Sequence, residues 1–192
     1  MNEEEIRAAT VGEPRVHDGT IDLADYDPAW PDLFTRESDR IRSTLGNVAR
    51  ALEHVGSTSV PGLAAKPVID IVLVVSDSAN QVAYVPALDA IGYVLRIREP
   101  DWYEHRMLAR NEPSVQIHVF SDGCPEIERM LLFRNRLRGN TADRDLYEHT
   151  KRQLARRTWR YVQDYADAKT AVVNDIIARA REREPDPGDA SL

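Results

Sequence analysis

The sequence predicts a mixed α/β protein, a mixed β-sheet flanked by helices with a helical C-terminal half. Three observations predict it. Val68 to Val75 is a run of β-branched and other apolar residues, the pattern of a strand buried on both faces. Three shorter segments, Tyr93 to Arg98, His105 to Arg110 and Ser114 to Phe120, follow with the spacing of antiparallel neighbours. From Pro125 onward the pattern is helical.

Taken in order, residues 1–15 are acidic, lack hydrophobic periodicity and are expected to be a mobile tail. Asp27-Pro28 opens a helix in which Trp30, Leu33, Phe34, Ile41 and Leu45 share a face, so it is predicted to run to Leu45. Asn47 to Val55 reads as a strand, and Ser57 to Ala65, rich in Gly, Pro and small polar residues, as a loop with at most a short helical turn. Asn80 to Ile91 suits a helix whose first turns Pro86 sets. Pro125 with Glu126 and Glu128 starts a helix that Gly139-Asn140 stops. Ala142 to Ala155 and Thr158 to Ala180 complete the set. The charged, Pro-rich residues 181–192 are expected to be disordered, which leaves one domain over residues 16–180.

A net charge of −7 offers nucleic acid or an anionic membrane no global attraction, and neither is expected as a partner. No apolar stretch approaches the ~20 residues that span a bilayer. The single cysteine, Cys124, excludes an internal disulfide and a multi-thiolate metal site. The acidic start contrasts with a basic, apolar leader, so the cytoplasm is the expected compartment.

Asp70 is the residue that needs explaining. An ionised carboxylate in a Val/Ile strand costs several kcal/mol unless it is paired, hydrogen-bonded or bound to a cation. The plainer account is an Asp that caps a neighbouring loop. Upstream, His54-Val55-Gly56-Ser57-Thr58-Ser59 runs from a strand into a turn whose N–H groups and hydroxyls suit phosphate oxygens, and Lys66 adds positive charge. His54, His105 and His118 lie on or beside predicted strands, whereas His17 and His149 do not. With Asp70 they suit a transition metal or acid/base work, His118 polarised by Asp70 for example, or they are unrelated and simply hydrogen-bonded. Arg134 is the residue of the basic helix expected to point inward. Tyr147 and Lys151, one helical turn apart, would line the same cleft, while Tyr165 and Lys169 repeat that spacing and read as packing. Trp102-Tyr103 beside Glu104-His105-Arg106 would stack a base or ring, or would pack a hairpin tip.

Gly56-Ser57 followed by Asp70 resembles the Gly-Ser … Asp-x-Asp signature of polymerase-β-like nucleotidyltransferases. The stretch from His54 to Ile71 resembles more closely the hallmark segment of GrpB (UPF0157-type) proteins, and Tyr26 to Pro31, Glu104-His105-Arg106, Ile117-His118-Val119, Leu132-Phe133-Arg134 and Tyr147 to Lys151 match further motifs of that family. The resemblance implies a nucleotidyltransferase-like fold and, with it, nucleotidyl transfer from a nucleoside triphosphate. Asp70 would hold a divalent metal, Mg²⁺ or a transition ion, and Gly56, Ser57, Thr58, Lys66, His105, Arg106, Arg134, Tyr147 and Lys151 would hold substrate. His54 and His118 join Asp70 as catalytic candidates. In some bacteria a domain of this kind is fused to dephospho-CoA kinase. The chain departs from the superfamily at Val72, where a second metal-binding carboxylate belongs, and at Gln116 and His118, where it offers no third. Three readings stay open: transfer of a nucleotidyl or other phosphate-linked group to a small molecule, a non-catalytic module for a nucleotide or CoA-like ligand, and an enzyme of another class that uses the His/Asp set.

Overall fold

A computed structural model describes residues 2–182. It bears out the mixed sheet with flanking helices. Five strands, β1 (Ala51–Val55), β2 (Ile69–Val75), β3 (Val94–Glu99), β4 (His105–Arg110) and β5 (Val115–Ser121), lie in the order β1-β2-β5-β4-β3. The central pair β2 and β5 is parallel, and the other pairs are antiparallel. A parallel pair needs a crossover, and the β3–β4 hairpin and a helix supply it.

Alternation along the strands makes two faces. Ile69, Ile71, Leu73, Val115, Ile117 and Val119 point into the main core under α2 (Trp30–Leu45) and α3 (Val85–Asp89). Asp70, Val72 and Val74 point the other way. There α4 (Pro125–Gly139) covers Val55, Val72, Val74 and Phe120 with Ile127, Met130 and Leu131. A third cluster, of Val60, Leu63, Leu137, Tyr147 and Ile176, packs α5 (Thr141–Ala155) and α7 (Thr170–Arg181) with α4 at the Asp70 end of the sheet. Asp70 therefore sits where the covered part of this face ends.

Four segments differ from their sequence pattern. Residues 3–9 form a helix, α1 (Glu3–Ala9), closed by a capping box between Asn2 and Glu5, with Ile6 and Ala9 buried. The chain then runs beside edge strand β3, with Thr10 bridged to Ile97 and Val11 N donating to Arg96 O. Gly46–Val48 is a 3₁₀ turn, so the first strand begins only at Ala51. Asn80 to Ile91 splits into a 3₁₀ turn and α3 around Tyr84, whose hydroxyl donates to Ser78 O. The long last helix starts only at Val162, because Trp159 exchanges two backbone bonds with Gly19 and is held extended. It is divided at Ala168-Lys169 into α6 (Val162–Asp167) and α7. Of the C-terminal tail expected at 181–192, Arg181 closes α7 and residues 183–192 lie outside the described residues.

One acid is sealed in the main core. Glu37 is 6 % exposed, accepts from the Tyr93 hydroxyl, and lies 2.9 Å from Arg110 Nη1. Its charge is compensated on both sides, which is the condition for burying it.

Candidate active site

The site is built where β1 ends and β2 begins. Gly56 leaves β1 with φ +68 and ψ −175, a conformation open to glycine alone, and turns the chain into the 3₁₀ segment Ser57–Ser59. Val55 pairs with Asp70 across the sheet, so the turn hangs directly over that carboxylate. A Cβ on Gly56 would stand 2.2 Å from Asp70 Oδ2. The glycine thus makes room for the acid, whose side chain stays partly exposed.

On the neighbouring strand His118 turns Nε2 to within 3.7 Å of Asp70 Oδ1. Its Nδ1 lies 3.1 Å from His105 Nε2, and His105 Nδ1 lies 2.7 Å from Glu99 Oε2. Burial holds the His105 pKa below the usual imidazole value against the opposing pull of Glu99, so the ring is neutral at pH 7. With His105 neutral and its Nδ1–H donating to Glu99, its Nε2 accepts from His118 Nδ1–H, which leaves His118 Nε2 facing Asp70. The rings stack in a tier: His105 lies 5.3 Å from His118 and 4.8 Å from Phe120, with Trp102 edge-on to His105. Trp102 therefore closes the tier at the tip of a hairpin that has Tyr103 at φ +55 and Glu104 at φ +51.

Opposite stand lysines. Lys151, 2 % exposed, donates to Ala64 O and lies 3.1 Å from Ser57 Oγ. Its ammonium sits 4.9 Å over the buried Tyr147 ring, and the Tyr147 phenol in turn engages Ser57. Burial, and then Lys169, push Lys151 down to about 7. Burial likewise pushes Lys169 down to about 8 and lowers Lys66, each opposed by Asp70, which places both within electrostatic reach of that carboxylate.

Of the residues singled out in the sequence, the fold brings together Asp70, His118, His105, Gly56, Ser57, Lys66, Tyr147 and Lys151. His54 also lies within electrostatic reach of Asp70, but its side chain and those of Thr58, Arg106 and Arg134 are engaged elsewhere. The His54 ring stacks on Phe34 at 4.7 Å, and its Nε2 lies 3.1 Å from the Thr58 hydroxyl, which donates to Val68 O. Both side chains are spent on bracing the turn, and burial drives His54 down to about 4, so it stays neutral. Arg106, one residue past His105, points to the opposite face and pairs with Glu104 at 2.8 Å and His105 O at 2.9 Å. Arg134 holds Glu53 and the His54 carbonyl along the free edge of β1, beside a separate cavity of about 340 Å³. Lys169 and Glu99 are the contributors that sequence reading missed. Lys169 carried the same Tyr-x-x-x-Lys spacing as Lys151, which was the available signal.

The donor set does not fit a two-ion Mg²⁺ centre. Val72 is buried among apolar side chains beneath α4, and among the described residues no three His, Cys, Asp or Glu groups are placed to hold a metal ion. Among the described residues no helix is long and apolar enough to cross a membrane.

A family model described as GrpB protein matches residues 20–179. UPF0157 protein BH1888 of Halalkalibacterium halodurans is 57 % identical over 178 residues, which cover 93 % of this chain and 91 % of that protein. The crystal structure of the conserved protein GrpB from Enterococcus faecalis superposes with a TM-score of 0.70 at 30 % identity, over 84 % of this chain and 98 % of that one. A fainter likeness, TM-score 0.42 at 13 % identity, covers 60 % of this chain and 41 % of the Cid1 poly(U) polymerase.

Proposed function

The chain belongs to the GrpB family, and from that premise we propose that its cleft takes a nucleotide or comparable phosphate-bearing small molecule and transfers a phosphate-linked group from it. One observation carries the reading: Lys151 binds the Ser57 turn and has Lys169 as a neighbour, while Lys66 and Lys169 share Asp70 as their carboxylate. Lys151 has only Glu148, which Arg152 already holds. All three lysines have pKa values depressed by burial, because Asp70 and Glu148 do not compensate them. A buried positive charge short of a counter-ion is a seat for an oxyanion.

In this reading Lys66 and Lys169 hold phosphate oxygens, and they supply the charge that metal ions supply in other phosphoryl-transfer sites. Lys151 and Tyr147 fix the Ser57 hydroxyl toward the ligand. His118 Nε2 accepts the proton of an acceptor hydroxyl, and Asp70, 3.7 Å away, stabilises the imidazolium that forms. His105 and Glu99 hold the tautomer that leaves Nε2 free for this.

Val72 in place of the second carboxylate favours a second reading, in which the same cleft binds its ligand without turning it over. Thermal denaturation with ATP, CTP and coenzyme A, each in EDTA and then with Mg²⁺, separates them when ³¹P NMR follows the ligand. Transfer predicts that at least one ligand stabilises the fold in EDTA and is consumed once small hydroxyl acceptors are supplied. A ligand at a hundred times its Kd adds about 2.7 kcal/mol, worth roughly 5–10 °C for a chain of this size. Asp70→Asn is expected to keep the shift and lose the turnover. Stabilisation without turnover supports the binding module. Stabilisation that requires a divalent ion contradicts both roles given to the lysines.

A further inference from the structure

We propose that Ser57 is a nucleophile that carries the transferred phosphoryl group covalently, with Lys151 as the base that takes its proton. The inference rests on the phosphate-transfer reading and adds to it a covalent intermediate and a named base.

The geometry is that of a base and its hydroxyl. Lys151 Nζ lies 3.1 Å from Ser57 Oγ in a site where the lysine is 2 % exposed, and among the described residues it has no ion-pair partner. A neutral amine has two hydrogens and one lone pair. One hydrogen goes to the Ala64 carbonyl. At 3.1 Å from Ser57 Oγ the charged amine donates to the serine, while the neutral amine turns its lone pair to the serine hydroxyl. The Tyr147 phenol engages the same hydroxyl and its ring lies beneath the amine, so both groups are held without a carboxylate. Access is open on the other side, because Ser57 is only half-buried and Gly56 before it is exposed.

The charged surroundings agree. Lys151 faces Tyr147, Glu148 and Arg152 on its own helix, Lys169 from the α6–α7 break, and Ser57. Burial and Lys169 lower its proton affinity more than Glu148 restores it, so the amine titrates at about 7 and a base is present at neutral pH. Lys66 and Lys169 face the charge that develops on phosphorus oxygens.

The step balances without a co-reactant. The Oγ–H proton passes to Lys151 Nζ while an Oγ–P bond forms and the bond from phosphorus to the leaving oxygen breaks. Lys151 then returns the proton to that oxygen. In the second half His118 takes the acceptor hydroxyl's proton as that oxygen bonds phosphorus, and the Oγ–P bond breaks. Lys151, which has taken a proton from water, protonates Ser57 Oγ, and His118 then gives its proton back to water.

An alkyl fluorophosphonate tests this apart from any natural substrate, since attack forms the same Oγ–P bond and expels fluoride. The full chain is incubated at pH 8, and intact mass and peptide mapping locate the adduct. One adduct on Ser57 is expected, absent in Ser57→Ala and formed at least about a hundredfold more slowly in Lys151→Met and Lys151→Arg, the scale of a lost general base. Lys151→Arg keeps the charge and cannot lose its proton, so it separates a base from an anion cradle. Melting curves of the variants confirm that they fold. Labelling of Ser57 at the wild-type rate in Lys151→Arg, labelling elsewhere, or no adduct overturns the proposal. The ligand-binding experiment above stands or falls independently of these outcomes.

Discussion

Gly56→Ala lowers the free energy of unfolding by about 4 kcal/mol and abolishes stabilisation by phosphate ligands. Two costs add. The backbone at φ +68, ψ −175 is a region an L-residue enters at a cost of about 1–3 kcal/mol. The new methyl also stands 2.2 Å from Asp70 Oδ2 and 2.9 Å from Cγ, a clash that must move the carboxylate or open β1 from β2 at the Val55–Asp70 pair. Such overpacking costs about 1–3 kcal/mol more. Urea titration of Gly56→Ala, Asp70→Ala and the double variant separates the two. The cost of Gly56→Ala is expected to fall by about 1–3 kcal/mol in the Asp70→Ala background, because only the clash depends on the acid. Additive costs would show that the acid does not occupy the space the glycine leaves.

Lys151→Met stabilises the protein at pH 7 and flattens its dependence on pH. The folded chain holds Lys151 with a proton affinity near 7, against 10.5 for an ordinary lysine. Between those values the unfolded chain binds a proton that the folded chain does not, so stability climbs as pH rises from about 7 to 10.5. Below pH 7 both states are charged and the whole cost of burial is present, on the order of 4 kcal/mol. Methionine keeps the volume and sheds that cost, while losing the bond to Ala64 O, worth about 1–2 kcal/mol. The expected gain at pH 7 is therefore about 2 kcal/mol, shrinking as pH approaches 10. Denaturant titration of both proteins at pH 7 and 9.5 checks it. A variant less stable at pH 7, with the wild-type slope retained, would show that the lysine is buried as a stabilising ion. A group retained against its own stability cost is a mark of function.

The sheet was legible because its signals are local. The β-branched run of β2 and the three short strands fall within a residue or two of their expected places. Asp70 beside the Gly56-Ser57 turn was readable from spacing for the same reason. Arg106 needed one more step: alternation alone sends it to the face opposite His105. The helix at residues 3–9 also had its signal, Asn2 three residues ahead of Glu5, in a segment too acidic to show an apolar face. Other features have no local trace. The bracing of His54 depends on Phe34 in another element. The late start of the last helices at Val162 comes from the pairing of Trp159 with Gly19, 140 residues earlier in the chain. Glu99 joins the histidine tier only because the β3–β4 register sets it against His105.

Calorimetric titration of the protein with ATP in EDTA, repeated with Lys169→Ala, is the most direct test of whether the lysine-lined turn seats a phosphate ligand. Binding at one site per chain without a divalent ion, weakened at least about tenfold by the substitution, is the predicted result, since a charge-assisted contact is worth about 1.5–3 kcal/mol. Heat that emerges only with Mg²⁺, or an affinity that Lys169→Ala leaves unchanged, would contradict it.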